Sequence, residues 1–238
     1  MSQTAASPSL PTIAFIGGGN MASAIIGGLI HQGQPASQIE VVEPWAEARE
    51  ALRKNYGIEA QAEAGPALQR AGIVVWAVKP QTFKDAAAQA KAHTRAALHL
   101  SVAAGIRSDS IAQWLGSERV VRTMPNTPAL VGKGMSALYA RPAVTAAERR
   151  SVEAIMTSTG EFLWVESEKQ LDAVTALSGS GPAYVFYFLE AMMQAGAETP
   201  LRDSLSGLGR LTLAMLAEEE SSPLLVTQRW LDKAGVPP

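Results

Sequence analysis

TIAFIGGGNMASAIIGGLIHQG, from Thr12 to Gly33, decides the fold because it reads as a strand, a glycine-rich turn and a helix in immediate succession. Thr12 to Ile16 is an apolar run suited to a buried parallel strand, and Met21 to Ile30 is apolar all round, as a helix packed on a sheet is. Between them Gly17-Gly18-Gly19-Asn20-Met21-Ala22 forms a G-x-G-x-x-A pattern. Gly17 permits the tight turn, Gly19 lets a pyrophosphate approach the backbone, and Ala22 is small enough for close helix–strand packing. The N-terminus of the helix then faces the anion. Such a turn can also be a turn and nothing more; its position after a strand is what favours a dinucleotide.

Composition narrows the rest. The 238 residues suffice for one large domain or two modest ones, and 47% hydrophobic with 18% charged residues is an ordinary globular balance. A net charge of −2 with scattered Lys and Arg provides no basic stripe, so neither nucleic acid nor an anionic membrane is an expected partner. No cysteine is present, which removes disulfide and thiolate chemistry and suits a reducing compartment. His31, His93 and His99 form no ligand-spaced cluster, so no metal site is expected. Residues 1–11 read as a loose leader, since Met1 to Ser9 has neither the basic start nor the apolar stretch of a signal peptide. Ala183 to Ala197 is short for a membrane span and carries Glu190 and Gln194, so it reads as a core helix. A cytoplasmic location follows by exclusion.

Strands and helices then alternate. Gln38 to Glu43 reads as a strand ending in an acid, followed by Pro44 and a helix from Trp45 to Tyr56. Glu43 is placed where a carboxylate accepts from the adenosine ribose hydroxyls, a role that favours NAD over its 2′-phosphorylated form. A helix-capping carboxylate accounts for the same residue, and Arg49 and Arg53 downstream can receive a phosphate. Gly72 to Val78 is an apolar strand that stops at Lys79-Pro80-Gln81, followed by a helix from about Phe83 to Thr94. Ala77, Val78, Lys79 and Pro80 thus fall at the carboxyl end of a parallel strand, where ligands of doubly wound sheets collect. Lys79 is equally well a solvated cation at a strand end.

A strand from Ala97 to Ala103, a short helix near Asp109 to Leu115 and a strand from Arg119 to Met124 continue the alternation, which implies a parallel sheet. Pro125-Asn126-Thr127-Pro128 follows. The two prolines can hold Asn126 and Thr127 towards the reactive end of the cofactor, or simply make a rigid turn. Gly134 to Ala140 and Glu161 to Val165 read as further strands around a helix from Thr145 to Ser158. Beyond Glu166 the pattern is helical, which places a domain boundary near residue 165, between a dinucleotide-binding domain at 12–165 and a helical domain at 166–238. Ser178-Gly179-Ser180-Gly181-Pro182 opens a helix there, and its amides and hydroxyls suit a carboxylate. A well-capped helix start explains them too.

Taken together, FIGGGNMA from Phe15, AVKPQ from Ala77, SVAAG from Ser101, MPNTP from Met124 and DAVTALSGSGPAY from Asp172 resemble the pyrroline-5-carboxylate reductase family. The resemblance implies a Rossmann-like N-terminal domain with a mostly parallel sheet, an all-helical C-terminal domain and a homo-oligomer. It also implies reduction of a small cyclic imine acid to L-proline by NADPH or NADH. In that reading Gly17, Gly18, Gly19, Asn20, Met21 and Ala22 hold the pyrophosphate, Glu43 meets the ribose, and Ala77 to Pro80 line the nicotinamide side. Asn126 borders the hydride-transfer cleft. Ser178, Gly179, Ser180, Gly181 and Pro182 shape the substrate pocket, with Ser180 and Glu220 as the candidate catalytic side chains. Glu220 also fits a plain surface carboxylate in an acidic run.

Beyond Pro200 the chain departs from the family. An S-P-G-G-T-T-like segment usually follows, and here Glu220-Ser221-Ser222-Pro223 leads instead to Leu224-Leu225-Val226-Thr227. The stretch before it is compressed, and the sequence stops at Pro237-Pro238 before the family's final helix. Two alternatives follow from that departure: a related imine or carbonyl reductase with another substrate, or a non-catalytic dinucleotide-binding homologue.

Overall fold

Short apolar strands alternate with helices in the computed structural model, which describes residues 10–197. In chain order they are β1 (Ile13–Ile16), α1 (Asn20–His31), β2 (Ile39–Val42), α2 (Ala46–Tyr56), β3 (Ile73–Trp76), α3 (Phe83–Ala90), β4 (Leu98–Ser101), α4 (Ser108–Leu115) and β5 (Val120–Met124). There follow β6 (Gly134–Ala140), α5 (Ala146–Thr157), β7 (Gly160–Trp164), α6 (Gln170–Val174) and α7 (Gly181–Ala197). Contacts divide the chain between Gly179 and Ser180, with the sheet and α1 to α6 in the first unit and α7 in the second.

All seven strands make one sheet in the order β2-β1-β3-β4-β5-β6-β7. The five from β2 to β5 are parallel, as the alternating pattern requires. After β5 the chain returns directly as antiparallel β6, and β7 then pairs parallel to β6. Val41, Phe15, Val75, Leu100 and Val121 stand in one row across the sheet. They pack with Ile25, Ile26 and Ile155 on one face, while Ala14, Val74, Trp76 and Val120 pack with Phe83 and Ile111 on the other. Burial on both faces explains why these strands are continuously apolar, and each large side chain so buried contributes about 1.5–3 kcal/mol.

α1 buries Ala22, Ile25, Ile26 and Leu29. Its Gly28 is a close-approach point, because a Cβ there would lie 2.2 Å from the carbonyl oxygen of Ser158. α5 starts in a reciprocal capping box between Thr145 and Glu148. Under the other face, the Trp76 indole N–H donates to His99 Nδ1 at 3.2 Å, and Trp76 stacks on Phe83 with ring centroids 5.0 Å apart. The proton of neutral His99 therefore sits on Nε2, which is buried and has no protein partner. Burial pushes the His99 imidazole down to about 4, and the charge of Arg119 acts in the same direction.

Two local features differ from the sequence reading. The helix after β3 ends at Ala90, with a separate 3-10 turn over Lys91–His93 before the next strand. At Thr175–Gly179 the backbone widens into a π turn, a geometry that no local propensity signals.

Candidate active site

The sheet winds in opposite directions from β1, with β2 on one side and β3 on the other. The crevice beyond the carboxyl ends of β1 and β3 is where open α/β sheets bind ligands. The glycine loop lies there. Gly17 has φ +96°, a conformation that favours glycine, and a Cβ would meet the Ala77 carbonyl oxygen at 2.6 Å. Its N–H donates to the Val42 carbonyl at 2.8 Å, while the Ala77 N–H donates to that of Ile16 at 2.8 Å. These bonds bring the ends of β1, β2 and β3 together around the loop.

Gly18 and Gly19 differ in what surrounds them. A Cβ on Gly18 would meet Leu52 Cδ1 at 2.8 Å and the Glu43 side chain at 3.2 Å, whereas one on Gly19 would meet nothing within 4 Å. Gly19 precedes α1, whose N-terminus has no side-chain cap. Open space over a bare backbone, at the uncapped N-terminus of a twelve-residue helix, suits the pyrophosphate of a dinucleotide in both shape and charge. Asn20, Met21 and Ala22 form the first turn of that helix, with Ala22 buried against the sheet.

Glu43, only 6% exposed, is held by backbone donors. The Gly18 N–H donates to Oε2 at 2.7 Å and the Trp45 N–H to Oε1 at 2.9 Å. Its carboxylate thus ties the glycine loop to the start of α2. The Arg49 guanidinium donates to the carbonyls of Glu43 and Pro44, at 2.9 and 2.6 Å, and Arg53 pairs with Glu50 at 2.6 Å. At the end of β3, Ala77 and Val78 are half-buried, and Val78 Cγ1 lies 3.2 Å from where a Gly17 Cβ would be. Lys79 and Pro80 are exposed, with the Lys79 carbonyl closing a 3-10 turn through Thr82.

Asn126 occupies the loop after β5 with both ends of its amide engaged. Its Oδ1 accepts from the Met135 N–H at 2.9 Å, and its Nδ2 donates to Ser178 Oγ at 3.2 Å. The PNTP loop is thereby tied to β6 and to the π turn. Gly179 lies so close to Met124 that a Cβ would sit 2.6 Å from its terminal methyl. The Ser180 carbonyl accepts from the N–H groups of Ala183 and Tyr184, opening α7, which Gly181 and Pro182 begin. Glu220 lies outside the described residues, as do Val226 and Thr227.

A second polar group went unassigned in the sequence. Arg122, buried on β5, donates to Glu168 Oε1 at 2.6 Å, and the same carboxylate accepts from the Ser108 N–H at 2.5 Å and Ser108 Oγ at 2.7 Å. The available signal was an arginine inside the buried strand Val120–Met124; nothing in Glu166-Ser167-Glu168-Lys169 marks its partner. Among the described residues, no group of His, Cys, Asp and Glu can hold a metal ion, and no helix is long and apolar enough to cross a membrane.

A glycine loop at the switch point of a parallel sheet, under an open helix N-terminus, defines a dinucleotide-dependent oxidoreductase. Residues 12–105 match the family described as NADP oxidoreductase, coenzyme F420-dependent, and residues 168–217 match that described as pyrroline-5-carboxylate reductase dimerisation. The pyrroline-5-carboxylate reductase of Pseudomonas aeruginosa is 44% identical over 225 residues, covering 91% of this chain and 82% of that one. That of Haemophilus influenzae is 43% identical, covering 77% and 68%. Among solved structures, the Coxiella burnetii pyrroline-5-carboxylate reductase superposes with TM-score 0.76 at 33% identity, covering 92% of this chain and 84% of that one. The Plasmodium falciparum pyrroline carboxylate reductase with NADP bound gives 0.73 at 26%, covering 93% and 83%. The chain belongs to the pyrroline-5-carboxylate reductase family.

Proposed function

We propose that this protein reduces 1-pyrroline-5-carboxylate to L-proline with NADPH or NADH, the final step of a proline biosynthesis. The observation that carries the reading is the glycine loop at the switch point, on a chain whose family membership extends from that loop through the segment around Ser178. Hydride for the imine carbon comes from the reduced nicotinamide. The protein binds and orients. The loop from Gly17 to Ala22 cradles the pyrophosphate, with the open backbone at Gly19 and the start of α1 facing it, and Glu43 holds the loop while presenting a carboxylate edge to the ribose. Ala77 to Pro80 form the nicotinamide wall.

Asn126 holds Ser178, and this reading gives the segment Ser178 to Pro182 to the substrate carboxylate, with Ser180 as its candidate catalytic side chain. The imine nitrogen is basic enough to take its proton from solvent, so orientation carries most of the rate and no strong dedicated acid is required. Glu220 is a substrate-side carboxylate in this reading. Association into a homo-oligomer through the helical region is part of it too, supported by the dimerisation match and by Tyr184, Phe186, Tyr187 and Phe188, which are all exposed on α7. A cytoplasmic setting agrees with the absence of cysteine.

The test is oxidation of NADH and, separately, NADPH by the purified protein with and without pyrroline-5-carboxylate, with proline measured as product. Stoichiometric proline is expected. Dinucleotide binding without proline overturns the reading in favour of another imine substrate or a protein that only binds the cofactor.

A further inference from the structure

Two long-range ties hold the chain between β7 and α7 to β5 and the loop that follows it. One is the hydrogen bond from Asn126 to Ser178. The other joins Arg122, four residues earlier on β5, to Glu168, two residues before α6 begins. Between the two ties lie only α6 and the π turn, with Leu171 buried as the apolar anchor. α6 runs without a break into the π turn that contains Ser178, so the position of Ser178 follows from where α6 starts.

Glu168 lies just before that start. Its carboxylate takes the Arg122 guanidinium, the Ser108 hydroxyl and the Ser108 N–H at the N-terminus of α4, so two elements, β5 and α4, fix one side chain. Ser108 Oγ also accepts from Arg141 at 3.2 Å, and Arg141 pairs with Asp109 and Glu118. Burial works to raise the Glu168 carboxyl, but the Ser108 bonds and the Arg122 charge outweigh it and hold the group below the ordinary carboxylate range. A nearly buried pair of this kind adds little net stability against an apolar replacement; its known use is to select one arrangement over others.

We propose that Glu168 is a positioning residue for the substrate segment: by locking the start of α6 onto β5 and α4, it sets the register in which Ser178 meets Asn126. The proposal rests on the reading of Ser178 to Pro182 as the substrate side. It predicts an effect confined to the imine acid, because the glycine loop and Glu43 share no hydrogen bond with this network.

The experiment compares full-length wild type, Glu168→Ala and Glu168→Gln. In Glu168→Ala the KM for pyrroline-5-carboxylate rises about tenfold while the dinucleotide Kd stays within about twofold. Glu168→Gln, which keeps the shape and one acceptor, recovers most of that loss. Hydrogen exchange of amides 170–179 quickens at least about tenfold in Glu168→Ala, with amides 17–22 unchanged. An unaltered KM in a folded variant overturns the proposal, as does a KM and a dinucleotide Kd that rise together. If Glu168→Ala does not fold, Glu168→Asp decides, because its carboxylate is one methylene too short to hold Ser108 and Arg122 together: normal exchange at 170–179 together with a normal KM in that variant overturns the proposal. Should wild type make no proline, the functional reading fails separately, and the exchange measurement alone still decides whether Glu168 fixes the segment.

Discussion

The two ends of the candidate site are built in opposite ways. At the cofactor end, the loop of Gly17, Gly18 and Gly19 and the acid that holds it are joined by short strands lying side by side, and each part has a local sequence signature. At the other end, Asn126 meets Ser178 and Arg122 meets Glu168 across tens of residues; Asn126 and Ser178 each sit in a motif, but nothing in the sequence pairs them, and nothing marks Glu168. The first end depends on backbone conformation and on what a Cβ would strike. The second depends on side chains finding one another only after the sheet has formed. Damage to the first is therefore expected to be local, and damage to the second to spread along α6 into the π turn.

The largest expected effect tests the core beneath both ends. His99 is neutral in the folded protein, with its pKa down to about 4, whereas an unfolded histidine titrates near 6.5. Below about pH 6.5 the unfolded chain therefore binds the proton that the folded chain refuses. The stability due to the neutral imidazole is complete above that pH, falls by about 3 kcal/mol as the pH drops to 4, and then levels off. Urea unfolding across that range, compared between wild type and His99→Leu, checks this. The variant loses stability at neutral pH because the Trp76 N–H is orphaned, but its slope between pH 6.5 and 4 is shallower. Equal slopes would mean that His99 is protonated in the folded state.

Next comes Gly19→Val. With nothing within 4 Å, the side chain has room in the protein but fills the space that the proposed reading gives to the pyrophosphate. Dinucleotide affinity falls at least about a hundredfold, near 2.7 kcal/mol, with the melting temperature nearly unchanged. A variant that binds normally would remove the cofactor end from the comparison; one that unfolds would show that damage there is not local after all.

The smallest effect sharpens the cofactor end itself. Glu43 holds Gly18 and, in the proposed reading, places negative charge where a 2′-phosphate would come, so Glu43→Ser is expected to weaken binding of both cofactors and to move the NADH-to-NADPH preference ratio towards NADPH by about tenfold. Parallel titrations with the two cofactors measure it. An unmoved ratio with weaker binding of both leaves Glu43 as a loop clamp alone.

Much of this protein was legible before folding was considered. Continuous apolar runs separated by amphipathic stretches dictated a parallel sheet, and the G-x-G-x-x-A pattern after the first of them located the switch point, because backbone conformation and side-chain volume are properties of each residue in its immediate neighbourhood. The family resemblance followed from five short motifs of the same kind. What only the tertiary structure decided were contacts between distant residues: the two backbone donors that take up Glu43, the double use of the Asn126 amide, the widened turn at Thr175–Gly179, and the carboxylate of Glu168 caught between β5 and α4. A charged side chain in a polar stretch reads as surface until its partner is known. Once the sheet has closed, desolvation makes leaving that charge unpaired more costly than pairing it.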